Sequence, residues 1–255
     1  DAQMKDSGLV EIHEGKGGVD KFWNRVMVPI LDINGKVIGF GGRVLGDGLP
    51  KYINTKETAV FDKGHNLFAM NIARRSKRRG IIICEGYMDV IAMHQAGFDN
   101  AVASLGTAFT IGQAEIIKRF TEEVYLAYDS DGAGTKATLK VISIMREVGL
   151  VTRVIDMKPY KDPDEFIRAM GSEAYEERLR NAVTGIIFEI DTIAGEYNLK
   201  DPEDKIKFSK ETAKRLAAIE EVVARHSYID AVSEKYFLDK EGLKSLVSQY
   251  GASGF

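Results

Sequence analysis

The chain has 255 residues, 44% of them apolar, with a formal net charge of −3. That length holds one large or two smaller domains, no apolar run approaches a membrane span, and the polar stretch between Asp1 and Asp6 has no signal-peptide pattern. A single cysteine, Cys84, excludes an intramolecular disulfide framework and suits a reducing, cytoplasmic setting, and the four scattered histidines lack the spacing of a zinc site.

The first twenty residues carry no strand or helix signal strong enough to stand as a domain. Residues 26–45 read as a β-hairpin, with Asn34-Gly35 as the turn between apolar runs at 28–31 and 37–40. Gly39, Gly41 and Gly42 invite a dinucleotide-fold reading, but no G-x-G-x-x-G and no helix pattern follow, so it fails. Residues 47–65 are loop-rich and bring Lys51, Tyr52, Asn54 and Lys63. The charge is unevenly spread: residues 21–80 carry 12 Lys and Arg against 4 Asp and Glu, and residues 81–183 carry 11 against 16. A basic segment beside an acidic one suits phosphates on one side and a cation on the other. The run from Arg74 to Arg79 reads first as a helix end, where the dipole favours cations. Arg43, Lys51 and Lys63 have the better claim on phosphate.

Apolar runs at residues 81–84, 101–104, 124–128 and 152–157 alternate with helical patterns, which implies a parallel sheet covered on both faces. The first run ends in Glu85-Gly86 before a helix that stops at Gly97. The third ends in Asp129-Ser130-Asp131, followed by Gly132-Ala133-Gly134 and an amphipathic helix over 133–148 with apolar Ala137, Val141, Met145 and Val148. Glu85, Asp129 and Asp131 are therefore expected at the carboxyl ends of strands, where open α/β sheets bind ligands. Two carboxylates about 4 Å apart repel by roughly 4 kcal/mol at an effective dielectric near 20, so a divalent cation is their natural partner. Gly86, without a Cβ, leaves room for a phosphate or a metal-bound water. A plain helix N-cap at Asp131 is the competing account. The fourth run is followed by Lys161-Asp162-Pro163-Asp164, where Asp162 can cap a helix carrying Phe166 and Ile167. Residues 172–250 show only helical patterns, over 174–181, 185–197, 202–226 and 228–237, with Asp201-Pro202 as a helix start. The expected class is α/β, mixed α+β overall, in three regions: a basic β-rich 1–79, a parallel βα region 80–171 and a helical bundle 172–255.

Three motif readings fail by count. A calcium loop starting at Asp129 would need an oxygen ligand where Ala133 stands and Glu where Lys140 stands. A Walker loop ending at Gly134-Thr135-Lys136 would need a glycine where Asp129 stands. A haloacid-dehalogenase-like phosphatase would use Asp129 as nucleophile and Asp131 as acid/base, but Ala133 replaces the expected Thr and Glu85-Gly86 goes unexplained.

The strings Glu85-Gly86-Tyr87-Met88-Asp89-Val90, Ala103-Ser104-Leu105-Gly106-Thr107 and Tyr128-Asp129-Ser130-Asp131-Gly132-Ala133-Gly134 resemble the TOPRIM core of bacterial replicative primases of the DnaG type. Upstream, Arg25-Val26-Met27-Val28-Pro29-Ile30, Gly39-Phe40-Gly41-Gly42-Arg43-Val44-Leu45, Pro50-Lys51-Tyr52-Ile53-Asn54 and Phe61-Asp62-Lys63-Gly64 resemble the preceding part of the same polymerase domain. The match runs in order from about Arg25 to Phe166. Val28 departs from it, standing where the family commonly has Phe. The resemblance implies a DNA-directed RNA polymerase joining ribonucleoside triphosphates into short RNA primers on single-stranded DNA. It implies Mg²⁺ or Mn²⁺ on Glu85, Asp129 and Asp131, with Asp162 and Asp164 near a further metal. Arg43, Lys51 and Lys63 would meet triphosphate or template phosphates. Tyr52 and Asn54 would position a base or ribose, Gly86 would admit the phosphate, and Asp89 would act as a supporting carboxylate one helical turn past Glu85. A zinc module before these residues and a module after them that binds the replicative helicase are expected outside this chain, with no zinc site inside it. Another TOPRIM protein, a nuclease or topoisomerase fragment, is the nearest alternative.

Overall fold

The structure, a computed structural model, describes residue 3 and residues 6–13 and 17–252; the expected domain ends at residues 1 and 255 lie outside them. The chain forms two compact units, Asp1–Ala182 and Val183–Phe255. The expected boundary at 171/172 falls inside a helix, at a kink where Gly171 adopts φ 81°.

The first unit begins with an antiparallel pair, β1 (Val10–His13) and β2 (Gly17–Asp20). A three-stranded antiparallel sheet follows, β3 (Arg25–Leu31), β4 (Val37–Val44) and β5 (Tyr52–Asn54), in that spatial order. The β3–β4 turn contains Asn34-Gly35 as expected, with Gly35 at φ 87°. Asp32 organises it: Oδ1 accepts the N–H groups of Asn34 and Lys36, both at 2.8 Å. The glycines of β4 serve packing. A Cβ on Gly42 would lie 2.6 Å from the Phe22 ring, and one on Gly41 would lie 3.1 Å from both Asn54 Oδ1 and the Tyr87 ring. A short helix α1 (Met70–Ala73) stops before the basic run, with Arg74 as its C-cap. Arg78 then stacks on Phe98 and donates to Gly97 O, while Arg79 and Arg153 share the carboxylate of Glu123. Much of that basic run is thus spent on internal contacts.

The parallel strands of this unit are β6 (Ile81–Cys84), β7 (Ala101–Ala103), β8 (Glu123–Ala127) and β9 (Val151–Val154), ordered β9-β8-β6-β7. Every residue of β6, β7 and β8 is buried, which is why they read as continuous apolar runs rather than alternating ones. The helices are α2 (Tyr87–Gln95), α3 (Ile111–Lys118), α4 (Gly132–Glu147) and α5 (Pro163–Arg180). The face α4 buries runs through Gly134, Thr138, Val141, Ile142 and Met145. Tyr175, fully buried, packs edge-on between Phe98 and Phe166, at 5.0 and 5.6 Å between ring centroids. Burying each such side chain is worth about 1.5–3 kcal/mol.

The second unit is helical: α6 (Gly185–Ala194), α7 (Pro202–Ala217), α8 (Val222–Tyr236) and α9 (Lys240–Ala252). Its core joins Ile190, Phe208, Leu216, Ile229, Val232, Leu243 and Val247. Asp201 caps α7 by accepting from Glu203 and Asp204 N–H, both at 3.0 Å, with Pro202 in the first turn. The single helix expected over 202–226 is corrected to two. It breaks between Ala217 and Val222, where Arg225 Nη1 donates to the Ile219 carbonyl at 2.9 Å and satisfies a group the broken ladder releases.

Among the described glycines, Gly134 leaves the least room for a side chain. A Cβ there would lie 2.0 Å from the Asp129 carbonyl oxygen, because the first turn of α4 backs directly onto the strand exit. Gly134→Ala is expected to lower unfolding free energy by about 1–3 kcal/mol or more, measured by chemical denaturation. A neutral result would contradict the close approach.

Candidate active site

The site grows out of one register. Cys84 of β6 pairs with Ala127 of β8 in parallel, so the chain leaves both strands side by side, with Glu85 one residue beyond the first and Asp129 two beyond the second. That places the two carboxyl groups next to each other at the sheet edge, where like charge disfavours ionising both. Burial, followed by the contact with Asp129, raises Glu85 from 4.5 to about 7. Asp89, one turn into α2, is raised from 3.8 to about 7, by burial first and then by Asp162 and Asp129. Its Oδ2 accepts the Gly86 N–H at 3.3 Å.

The other expected acids stand close by but are also engaged in the fold. Asp131 caps α4, Oδ1 accepting from Gly134 N–H at 2.8 Å. Asp162 caps α5, accepting from Glu165 N–H at 2.8 Å, and Asp164 pairs with Arg168 at 2.8 Å. A cap occupies one carboxylate oxygen and leaves the other available. Capping and ligand binding are therefore compatible roles for Asp131. Among the described residues, no three His, Cys, Asp or Glu side chains converge, as they stand, into a formed metal site.

A cleft of about 430 Å³ opens over this edge. Glu85, Gly86, Asp89, Asp129, Asp162 and Asp164 line its acidic side, and Arg43, Lys51, Tyr52 and Asn54 its basic side. Tyr52 carries both cations near its ring, Arg43 and Lys51 each at 5.7 Å, and meets Tyr87 edge-on at 5.5 Å. Asn54 Nδ2 donates to Leu105 O at 3.0 Å, while its Oδ1 is buried without a partner among the described residues. That oxygen is packed against Gly41, 3.1 Å from where a Cβ there would lie. Asp131 and Lys63 are not among the lining residues. Lys63 lies near Lys21, whose ammonium is lowered by burial and then by its basic neighbours, and which holds Asn54 O at 2.9 Å.

Five cleft residues have no role assigned from the sequence: Tyr87, Met88, Ser104, Gly106 and Lys161. Lys161 is the notable one. Its Nζ lies 3.1 Å from Asp129 Oδ2, and the contact raises the ammonium above its ordinary 10.5. Lys161 begins the string Lys161-Asp162-Pro163-Asp164, which drew attention only for its acids.

Comparison with known proteins places this geometry. Residues 82–167 match the Toprim-like family, residues 1–74 the N-terminal domain of the DNA primase catalytic core, and residues 186–241 the DnaB-helicase binding domain of primase. The DNA primase of Clostridium acetobutylicum is 42% identical over 247 residues, covering 96% of this chain and 41% of that protein. The DNA primase of Listeria monocytogenes is 36% identical, covering 95% and 40%. A DNA primase domain from Pseudomonas aeruginosa has a similar structure, with TM-score 0.79 and 33% identity over 97% of this chain and 79% of that one. The DnaG primase catalytic domain bound to single-stranded DNA gives 0.80 and 32%, over 94% and 77%. The fold is thus that of the TOPRIM class within a primase core. The chain belongs to the DnaG-type DNA primase family. It spans about two fifths of the length of the curated relatives it matches. One expectation is corrected: the helicase-binding module, placed outside this chain, has its match inside it, at residues 186–241. Those residues show only amphipathic helices, with no local chemistry to mark a docking role. Also, no helix among the described residues is long and apolar enough to cross a membrane.

Crowding of acids sets a pH dependence. Glu85 and Asp89 titrate near 7 in the folded chain, so between the ordinary carboxylate range and 7 the folded state holds protons that the unfolded state has released. Stability then falls as pH rises. In chelator-treated buffer, Tm is expected to drop between about pH 5 and about pH 8, and Glu85→Gln to flatten that drop. A Tm that rises over this window would contradict the assignment.

Proposed function

We propose that this chain is the primer-synthesising core of a DNA primase, a metal-dependent nucleotidyltransferase that binds ribonucleoside triphosphates and a single-stranded DNA template. The observation that carries it is the single cleft in which Glu85 and Asp129 face Arg43 and Lys51, in a chain whose relatives are DNA primases.

The donor set fits a hard divalent cation. It is oxygen-only, and burial and then Asp129 raise Glu85 to about 7, a crowding of carboxylates that a divalent cation relieves. Glu85, Asp129 and Asp131 would hold the principal Mg²⁺ or Mn²⁺, with Asp162 and Asp164 beside a further one. When bound, the metal supplies Lewis-acid stabilisation of the attacking and leaving oxygens. The chain's own part is positioning and charge. Arg43 and Lys51 neutralise triphosphate oxygens, Arg with a planar fork and Lys as a point charge. Tyr52, with its ring face at the cleft wall, and Asn54 beside it position a base or ribose. Gly86, with only Asp89 Oδ2 near its open Cβ position, at 3.5 Å, leaves the backbone accessible to a phosphate. The helical second unit would serve contact with a DnaB-type helicase through residues 186–241.

Substitutions can separate metal binding from capping. Asp131→Asn keeps an acceptor for Gly134 N–H, and Asp129→Asn removes charge without removing volume. Each is expected to cut primer synthesis at least about a hundredfold, since metal stabilisation of the transition state is worth several kcal/mol. Tm should be unchanged or raised, because repulsion is relieved. Primer synthesis at the wild-type rate by both variants would end this proposal. For the basic wall, Lys51→Ala should reduce the slope of log K against log salt for single-stranded DNA or nucleotide by about 0.7. An unchanged slope would remove Lys51 from phosphate contact.

A further inference from the structure

We infer that Lys161 is a tethered cation that neutralises Asp129 before metal enters and then transfers to the triphosphate, so that metal and nucleotide bind as a coupled pair. The inference rests on Glu85 and Asp129 being the magnesium ligands.

The Lys161 backbone is pinned at both its polar groups. Its N–H donates to Glu165 Oε2 at 2.7 Å, and its carbonyl accepts from Ser130 N–H at 2.8 Å. Ser130 lies between Asp129 and Asp131, so the root of the lysine is bonded into the acidic loop itself. The side chain is the mobile part: it is 62% exposed, whereas Asp129 is 16% exposed. Four methylenes let the ammonium swing while the root stays fixed. Its present position, 3.1 Å from Asp129 Oδ2, sets it in competition with a divalent cation on the same carboxylate, because two positive charges brought to one small group repel. Metal entry favours its displacement, and the cleft it lines also carries Arg43 and Lys51. That wall repels it too. Asp162 and Asp131 also act on the ammonium, but they belong to the same acidic edge that metal would neutralise, so the new partner on offer is an anion in the space between, and a triphosphate is such an anion. Free metal therefore competes with Lys161, while metal with nucleotide does not.

The test is manganese binding followed by electron paramagnetic resonance, with nucleotide affinity in magnesium buffer measured by calorimetry. The proteins are wild type, Lys161→Met, Lys161→Arg and Asp129→Asn. Without nucleotide, Lys161→Met should bind Mn²⁺ about threefold or more tightly than wild type, the scale of losing one competing ion pair. In magnesium its Kd for a ribonucleoside triphosphate should rise about tenfold, the cost of one charge-assisted phosphate contact, and Lys161→Arg should restore most of it. Unchanged or weaker Mn²⁺ binding by Lys161→Met, with wild type still tighter than Asp129→Asn, overturns the role of Lys161 alone. Equal Mn²⁺ binding by wild type and Asp129→Asn overturns the metal site, and this inference with it.

Discussion

The parallel pairing of β6 with β8 is the constraint on which the rest of the molecule turns. It fixes Cys84 opposite Ala127 and so delivers Glu85 and Asp129 to one point on the sheet edge. Left alone, such a pair opposes folding. The chain offsets the repulsion locally and in different ways: a Glu85 carboxyl raised to about 7, the Lys161 ammonium on Asp129, and helix N-terminal N–H groups on Asp131 and Asp162. Helix N-termini favour carboxylates because their first N–H groups lack partners and the dipole is positive there. The strands beneath supply the rigidity. Ile82, Ile83 and Cys84 are wholly buried, as are Val124, Leu126 and Ala127, so the edge cannot relax by letting the strands slide.

The basic wall is held to the acidic edge by contacts that cross from the antiparallel sheet, and from the segment before α1, to β7 and α2. Phe68 and Ala103 exchange backbone hydrogen bonds, at 2.9 and 3.4 Å. Asn54 reaches Leu105, just past β7, and Tyr52 abuts Tyr87 at the start of α2. Gly41 lets those last elements close in, since any side chain there would strike both Asn54 and Tyr87. The cleft width is thus set by packing, and a substrate meets cations and carboxylates at a fixed separation. That preorganisation matters where the protein's contribution is positioning and charge.

What the sequence made legible follows from how each feature is encoded. Strands buried on both faces must be continuous apolar runs, and β6, β7 and β8 were found within a residue or so of their ends. The acid-glycine strings after them were equally plain, because few residue types can follow a buried strand and leave a site open. Strand order could not be read, as it depends on pairings between segments tens of residues apart. Lys161 was missed because an isolated lysine in a polar string has no signature until its partner is known. The division of residues 202–226 was missed because the helical period continues through Ile219, and only the released carbonyl and Arg225 mark the break. The two roles of Asn54 were also hidden: its amide nitrogen is structural, and only its oxygen is left over.

Capping and cation binding, set against each other in the sequence, are compatible in one residue for a physical reason. A strand that ends at a ligand site must turn at once into a helix to cover the sheet, so its exit residues are also the helix's N-cap. Asp satisfies the turn with one oxygen and keeps a second, together with its charge, for something else. Asn would cap as well but carry no charge, and Ser or Thr would cap with only one oxygen. The same logic applies at Asp162 before α5, where Pro163 fixes the first helical residue and Glu165 holds the Lys161 N–H. Both caps thus leave one carboxylate oxygen unused by the fold, with Asp131 outside the cleft lining and Asp162 in it. Gly134 makes the first of them possible, since only a residue without Cβ lets α4 start against the Asp129 carbonyl. The acidity of the edge is therefore a product of how the chain turns, and its surplus negative charge is what a cation would answer.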